Sequence, residues 1–132
     1  MESKREMSAT RWPLWGILAL AAALRLWGIS RESLWLDEAT SLMLARMDVG
    51  SLVAWTANDI HPPLYYLLLH YWLPVGQSEL ALRGLSALAG VLTVAVLHGL
   101  GKELFDRELG LWAACLLAIN PLHVWYSQEA RM

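Results

Sequence analysis

The chain has one cysteine, Cys115, and it lies inside an apolar run. A single cysteine excludes an intramolecular disulfide and any zinc site built on paired-cysteine spacing. Cys115 reads as a small packing residue. Charge is also scarce: Asp, Glu, Lys and Arg make up 17% of the chain, the net charge is -2, and no basic stripe is present. That argues against nucleic acid as a partner. There is no internal repeat and no low-complexity linker. No small-x-small cleavage site precedes Trp27-Gly28-Ile29, so the apolar stretch behind Lys4, Arg5 and Arg11 reads as a retained first span, not a signal peptide.

What is abundant is apolar surface. Hydrophobic residues make up 57% of the chain and there are eight tryptophans, and the mean hydropathy is positive. This composition points away from an ordinary soluble domain and towards the bilayer, where indole rings favour the headgroup level. Residues 12–29 approach the ~20 needed to cross a bilayer core, with Arg25 near the far end, placed to snorkel to the interface. The basic residues ahead of this span put the N-terminus in the cytoplasm. Residues 80–101 and 109–126 are two further spans. Ser86 and Gly90 form a small-xxx-small face on the first of these, and Ala114 and Ala118 one on the second. Asn120-Pro121 predicts a kink near the far end of the last span.

Residues 30–79 form an outer loop. Asp37 is placed to cap a helix whose first turn holds Glu38 and whose apolar face runs through Ala39, Leu42, Met43 and Met47. Gly50 is expected to break this helix before a shorter one over residues 51–57. Both read as helices lying on the outer membrane surface. Residues 64–73 are apolar but short for a span and suit a re-entrant or interfacial helix between Pro63 and Pro74. If they do not cross, Lys102 and Arg107 lie inside, and Asp37, Asp59, His61 and Glu129 share the outer face. If they cross, the basic pair falls outside. Positive-inside bias and length favour the first arrangement. The expected fold is therefore all-α: a polytopic transmembrane helical bundle with amphipathic interfacial helices in its first extracytoplasmic loop.

Charge at a lipid boundary is costly unless it meets water, a partner or chemistry. Asp37 and Glu38 are the catalytic candidates. Asp37 is placed to take a proton from a hydroxyl or amine nucleophile, or else it is only a helix cap and Glu38 a solvated first-turn residue. The binding candidates are Asp59, His61, Arg83, Glu129 and Arg131. His61 is held extended by Pro62-Pro63 and suits a phosphate, a metal or a structural turn. Arg83 is an interface anchor or an anion partner. Glu129 and Arg131 form an ion-paired rim or face the same cavity as Asp37. His98 and His123 read as packed, hydrogen-bonded helix residues.

The order Arg25…Gly28, Leu34-Trp35-Leu36-Asp37-Glu38-Ala39, His61-Pro62-Pro63-Leu64-Tyr65-Tyr66, Gly76-Gln77-Ser78-Glu79 with Leu82-Arg83, Gly110-Leu111 and Tyr126-Ser127-Gln128-Glu129-Ala130-Arg131-Met132 resembles the start of a GT-C membrane glycosyltransferase. The nearest branch is the dolichyl-phosphate-mannose-protein mannosyltransferase-like family (glycosyltransferase family 39 type), related to the aminoarabinose transferases of lipid A. The resemblance covers the chain from about Arg25 onward. It implies transfer of a sugar from a polyprenyl-phosphate carrier, with inversion, at the extracytoplasmic face of the cell membrane. The acceptor is a protein, glycolipid or polymer. Asp37 matches the family's general base, His61 its position near the donor phosphate, and Glu129 its second acidic motif, where a divalent metal is left open. Family members are several hundred residues long, so residues 1–132 are expected to be the N-terminal part of such a module and inactive alone. The competing expectation is a small non-catalytic helical membrane subunit or transporter fragment, with His98 and Asn120 lining a path.

Overall fold

In a computed structural model the described residues are 12–31, 36–60 and 62–130. Every regular element among them is helical: α1 (Trp12–Leu26), α2 (Leu36–Ala45), α3 (Val49–Thr56), α4 (Leu64–Trp72) with a 3-10 turn at Leu73–Val75, α5 (Glu79–Leu104), α6 (Arg107–Ile119) and α7 (Pro121–Tyr126). The chain divides into two compact units, one of residues 1–27 and 87–127, the other of residues 28–86 and 128–132.

The first unit is built on small residues. Ala21 of α1, Val94 of α5 and Ala114 and Ala118 of α6 form its core, with Ile17, Leu18, Val91 and Leu117 packed around them. The expected face of Ala114 and Ala118 is therefore in use: both are fully buried, and alanine at a crossing lets helix backbones approach. A second close approach lies at Gly101 and Gly110. A Cβ on Gly101 would sit 2.8 Å from the Gly110 Cα, so only glycine fits.

The expected kink at Asn120-Pro121 takes the form of a break. Proline has no N–H and pushes the residue before it out of the helical region. Asn120 is extended (ψ 117°) and caps α7 through its side chain, which accepts from the His123 N–H. The break leaves late carbonyls of α6 short of helical partners, and Arg25 covers them. Its guanidinium donates to Ala118 O (3.2 Å) and Leu117 O (3.5 Å), to Ala21 O on its own helix (2.9 Å) and to His123 Nδ1 (2.6 Å). Arg25 thus does not snorkel outward; it is fully buried. Helix C-terminal carbonyls carry negative partial charge and attract a cation more strongly here than distant headgroup water does. His123 is hydrogen-bonded as expected. His98 is not: its Nδ1 is buried without a partner among the described residues.

α5 has 26 residues and is the one described helix long and apolar enough to cross a membrane. α1 has 15 residues and α6 has 13. α1 stops earlier than the expected end at residue 29, because Gly28 adopts a left-handed conformation (φ 75°) that typically ends a helix.

The second unit holds α2, α3, α4 and the first turns of α5 around two apolar clusters. One contains Ala45, Leu69, Leu82 and Ala130; the other contains Leu44, Leu52 and Tyr66. Three expectations shift here. Asp37 lies in the first turn of α2, after Leu36, and is not its cap. The break between α2 and α3 falls at Asp48, not Gly50. Asp48 caps α3 by accepting from the Ser51 N–H (3.0 Å), and Gly50 lies inside that helix. The buried face of α2 is Glu38, Ser41, Leu44 and Ala45, while Met43 points outward. A charged residue has drawn the helix round, and the site explains why.

Candidate functional site

Glu38 is 1% exposed and Arg83 4%, so Glu38 is not a solvated first-turn residue, and of the two readings of Arg83, interface anchor or anion partner, the structure takes the second. Their side chains form a two-point ion pair: Arg83 Nε donates to Glu38 Oε1 (2.8 Å) and a terminal nitrogen donates to Oε2 (2.7 Å). The other terminal nitrogen of Arg83 donates to Ile29 O (2.6 Å). The Ala130 N–H donates to Glu38 Oε1 (2.9 Å) across 92 residues of sequence. The planar guanidinium matches a carboxylate at two points, which fixes orientation as well as position. One buried carboxylate thereby ties the start of α5 and the segment after α7 to the first turn of α2.

Asp37 is the next residue along and is exposed. Glu129 is half-buried beside Ala130, so the clamp brings the two acidic motifs into one unit. Asp59 follows α3, half-buried, in a turn where its Oδ1 accepts from the Ile60 N–H (2.8 Å). His61 and Arg131 lie outside the described residues.

Two tyrosines of α4 complete the region. The Tyr65 hydroxyl is hydrogen-bonded to Ser86 Oγ (3.1 Å). Burial pushes its phenol up, the Ser86 bond acts against this, and the Glu38 carboxylate adds to it. Tyr66 packs with Leu44 and Leu52. Its phenol is pushed up first by burial and then by the carboxylates of Asp59 and Asp37. Both acids therefore act on the same hydroxyl. No group of three or more His, Cys, Asp or Glu side chains among the described residues is placed to hold a metal ion.

The arrangement offers an exposed carboxylate on a rigidly held helix turn, with further acids and a phenol nearby. Sequence reasoning named Asp37, Asp59 and Glu129 as candidates and gave Tyr66 no role. It also missed that Glu38 and Arg83 are partners, a pairing that sequence distance hides.

The family model described as dolichyl-phosphate-mannose-protein mannosyltransferase matches residues 60–131, more than half of the chain. The chain belongs to the dolichyl-phosphate-mannose-protein mannosyltransferase family. No curated protein and no solved structure matches it. Membership in this mannosyltransferase family makes the chain a membrane-associated glycosyltransferase sequence, of a kind that uses lipid-linked sugar donors. The matched stretch includes Arg83, Glu129 and the His61-Pro62-Pro63 motif. Asp37 and Glu38 precede it and are joined to it through the Arg83 and Ala130 hydrogen bonds.

Proposed function

We propose that the chain carries the acceptor-activating part of a GT-C-type enzyme, which moves a sugar from a polyprenyl-phosphate-linked donor to a hydroxyl-bearing acceptor at the extracytoplasmic membrane face. Asp37 takes the acceptor O–H proton. The acceptor oxygen then bonds to the anomeric carbon from the side opposite the phosphate. The bond from that carbon to the phosphate oxygen breaks, and polyprenyl phosphate leaves with the electron pair, inverting the centre. Glu38 is a positioning residue and not a second base: its carboxylate is occupied by Arg83 and Ala130. Residues 1–132 are read as part of a polytopic bundle with spans at about residues 12–29, 80–101 and 109–126.

The observation that carries this reading is the clamp on Glu38. A base must be held near its substrate to well under an ångström or two, because proton transfer and attack depend on geometry. Next to an immobilised Glu38, Asp37 has that rigidity while remaining exposed. The outward face follows from the basic N-terminus and from donor chemistry, since an outer site is served by a sugar anchored in the bilayer.

The test is Asp37→Asn in the full gene product, assayed in membranes with polyprenyl-phosphate sugars. Turnover is expected to fall by about 10²–10⁴, the usual contribution of a general base, with resistance to alkaline extraction unchanged. Near-wild-type turnover would remove Asp37 as the base.

A further inference from the structure

His70, in the last turn of α4, has no part in this mechanism, yet one of its ring nitrogens is committed. The last four carbonyls of a helix lack partners within it, and at the end of α2 each finds one. Leu42 O and Met43 O share the Arg46 N–H, and Leu44 O accepts from the Met47 N–H. Ala45 O accepts from His70 Nδ1 at 2.7 Å. A carbonyl only accepts, so Nδ1 carries a proton whether the ring is neutral or charged. Ala45 is fully buried, which keeps water from taking the place of the imidazole. A carbonyl buried without a donor is costly, so the bond holds α2 to α4.

This bond completes a two-point attachment of α2. Glu38 ties the first turn to Arg83 and Ala130, and His70 ties the last residue to α4. Glu38 and Ala45 are seven residues apart and both buried, so the two ties lie on one face of the helix, about 10 Å apart along its axis. A helix held at one end pivots there; held at both ends, it has a fixed tilt and a fixed rotation about its axis. Asp37 projects from the first turn on the exposed side, so its carboxylate swings with any such movement. A reacting group displaced by an ångström loses much of its effect. We infer that His70 is a positioning residue for Asp37: by donating to Ala45 O it sets the tilt and rotation of α2, and so the place of the carboxylate. This inference rests on the glycosyl-transfer reading above, in which Asp37 is the base.

The test is a series at this position in the full gene product, assayed in membranes with a polyprenyl-phosphate hexose as donor. His70→Leu removes the N–H, His70→Gln moves it one bond further out, and His70→Asn keeps an N–H at the place of Nδ1. Turnover is expected to fall roughly tenfold in the first two, with KM for the donor unchanged, and to be restored in His70→Asn. In an Asp37→Asn background, His70→Leu and His70→Gln should lower the residual turnover no further, because their effect passes through a carboxylate that is gone. A role in folding alone would lower turnover by the same factor in both backgrounds, and that result overturns the inference. Wild-type turnover in His70→Gln, or an equal loss in His70→Gln and His70→Asn, also overturns it. These two variants differ in where the N–H stands, so the pair decides even if His70→Leu fails to fold. Wild-type turnover in Asp37→Asn alone removes the base and the positioning role with it; a loss there with none in His70→Gln removes only the positioning role.

Discussion

Glu38 shows how much one side chain can organise. A buried carboxylate is tolerated only when paired and hydrogen-bonded, and Glu38 meets three donor atoms: two nitrogens of Arg83 and the Ala130 N–H. Removing one member leaves the other charged and buried, at a cost of about 3–5 kcal/mol. Arg83→Met and Glu38→Gln should each lower stability by about this much in detergent unfolding titrations. The double variant should cost less than the sum, because it leaves no orphan charge. Additive losses would show the pair to be uncoupled. Asp37 sits one residue away with a different fate. The chain direction at the start of α2 buries one carboxylate and exposes its neighbour, where sequence reasoning named both as catalytic candidates and gave the base role to Asp37.

At the scale of elements, the helices are set by their ends and crossings. Asp48, Asp106 and Asn120 each accept a backbone N–H three residues on, and each caps the helix that follows it. Asn120→Ala should cost about 1 kcal/mol and loosen α7, read as faster amide exchange over residues 121–126. The Asp48 carboxyl is held below the ordinary range, chiefly by its hydrogen bonds with Ser51. A depressed value in the folded state means stabilisation that is present above the ordinary carboxylate range and lost as pH falls through the lowered value. Acidification should fray α3, and Asp48→Asn should remove that part of the pH dependence. The crossing at Gly110 is less forgiving. A Cβ there would meet His98 O at 2.7 Å and Lys102 N at 2.9 Å, both backbone atoms. Gly110→Ala should therefore destabilise by about 1–3 kcal/mol, seen as a lower melting temperature.

For the whole molecule the proposed topology is the exposed claim. If residues 64–73 do not cross, Ile60 and Glu129 share the outer side while Lys102, Asp106 and Arg107 face inward. Ile60→Cys and Asp106→Cys, placed in a Cys115→Ser background, should label oppositely with an impermeant thiol reagent on intact cells: the first readily, the second only after permeabilisation. Labelling of Asp106→Cys from outside would reverse the arrangement and separate the acidic cluster from a lipid-borne donor on the outer face. Outward-facing apolar side chains fit this setting. Leu88, Leu92, Val96 and Leu100 of α5 are exposed at a spacing of four, and Thr93 among them bonds its own helix at Ala89 O, as a hydroxyl facing hydrocarbon must.

Much of this was legible in residue order because the signals are local. Apolar runs, the Asn120-Pro121 interruption and the small faces of Ala114 and Ala118 depend on neighbours a few positions apart, and backbone chemistry acts at that range. The family likeness, too, is a matter of motifs in order. The partners of the buried charges were decided by folding alone. Arg25 reads as an interfacial cation until α6 ends beside it with open carbonyls. Arg83 reads as an interface anchor or an anion partner until α2 arrives with Glu38 as the anion. A charge goes where desolvation is best repaid by a matching group, and that group is tens of residues away in sequence, so only the tertiary structure could name it.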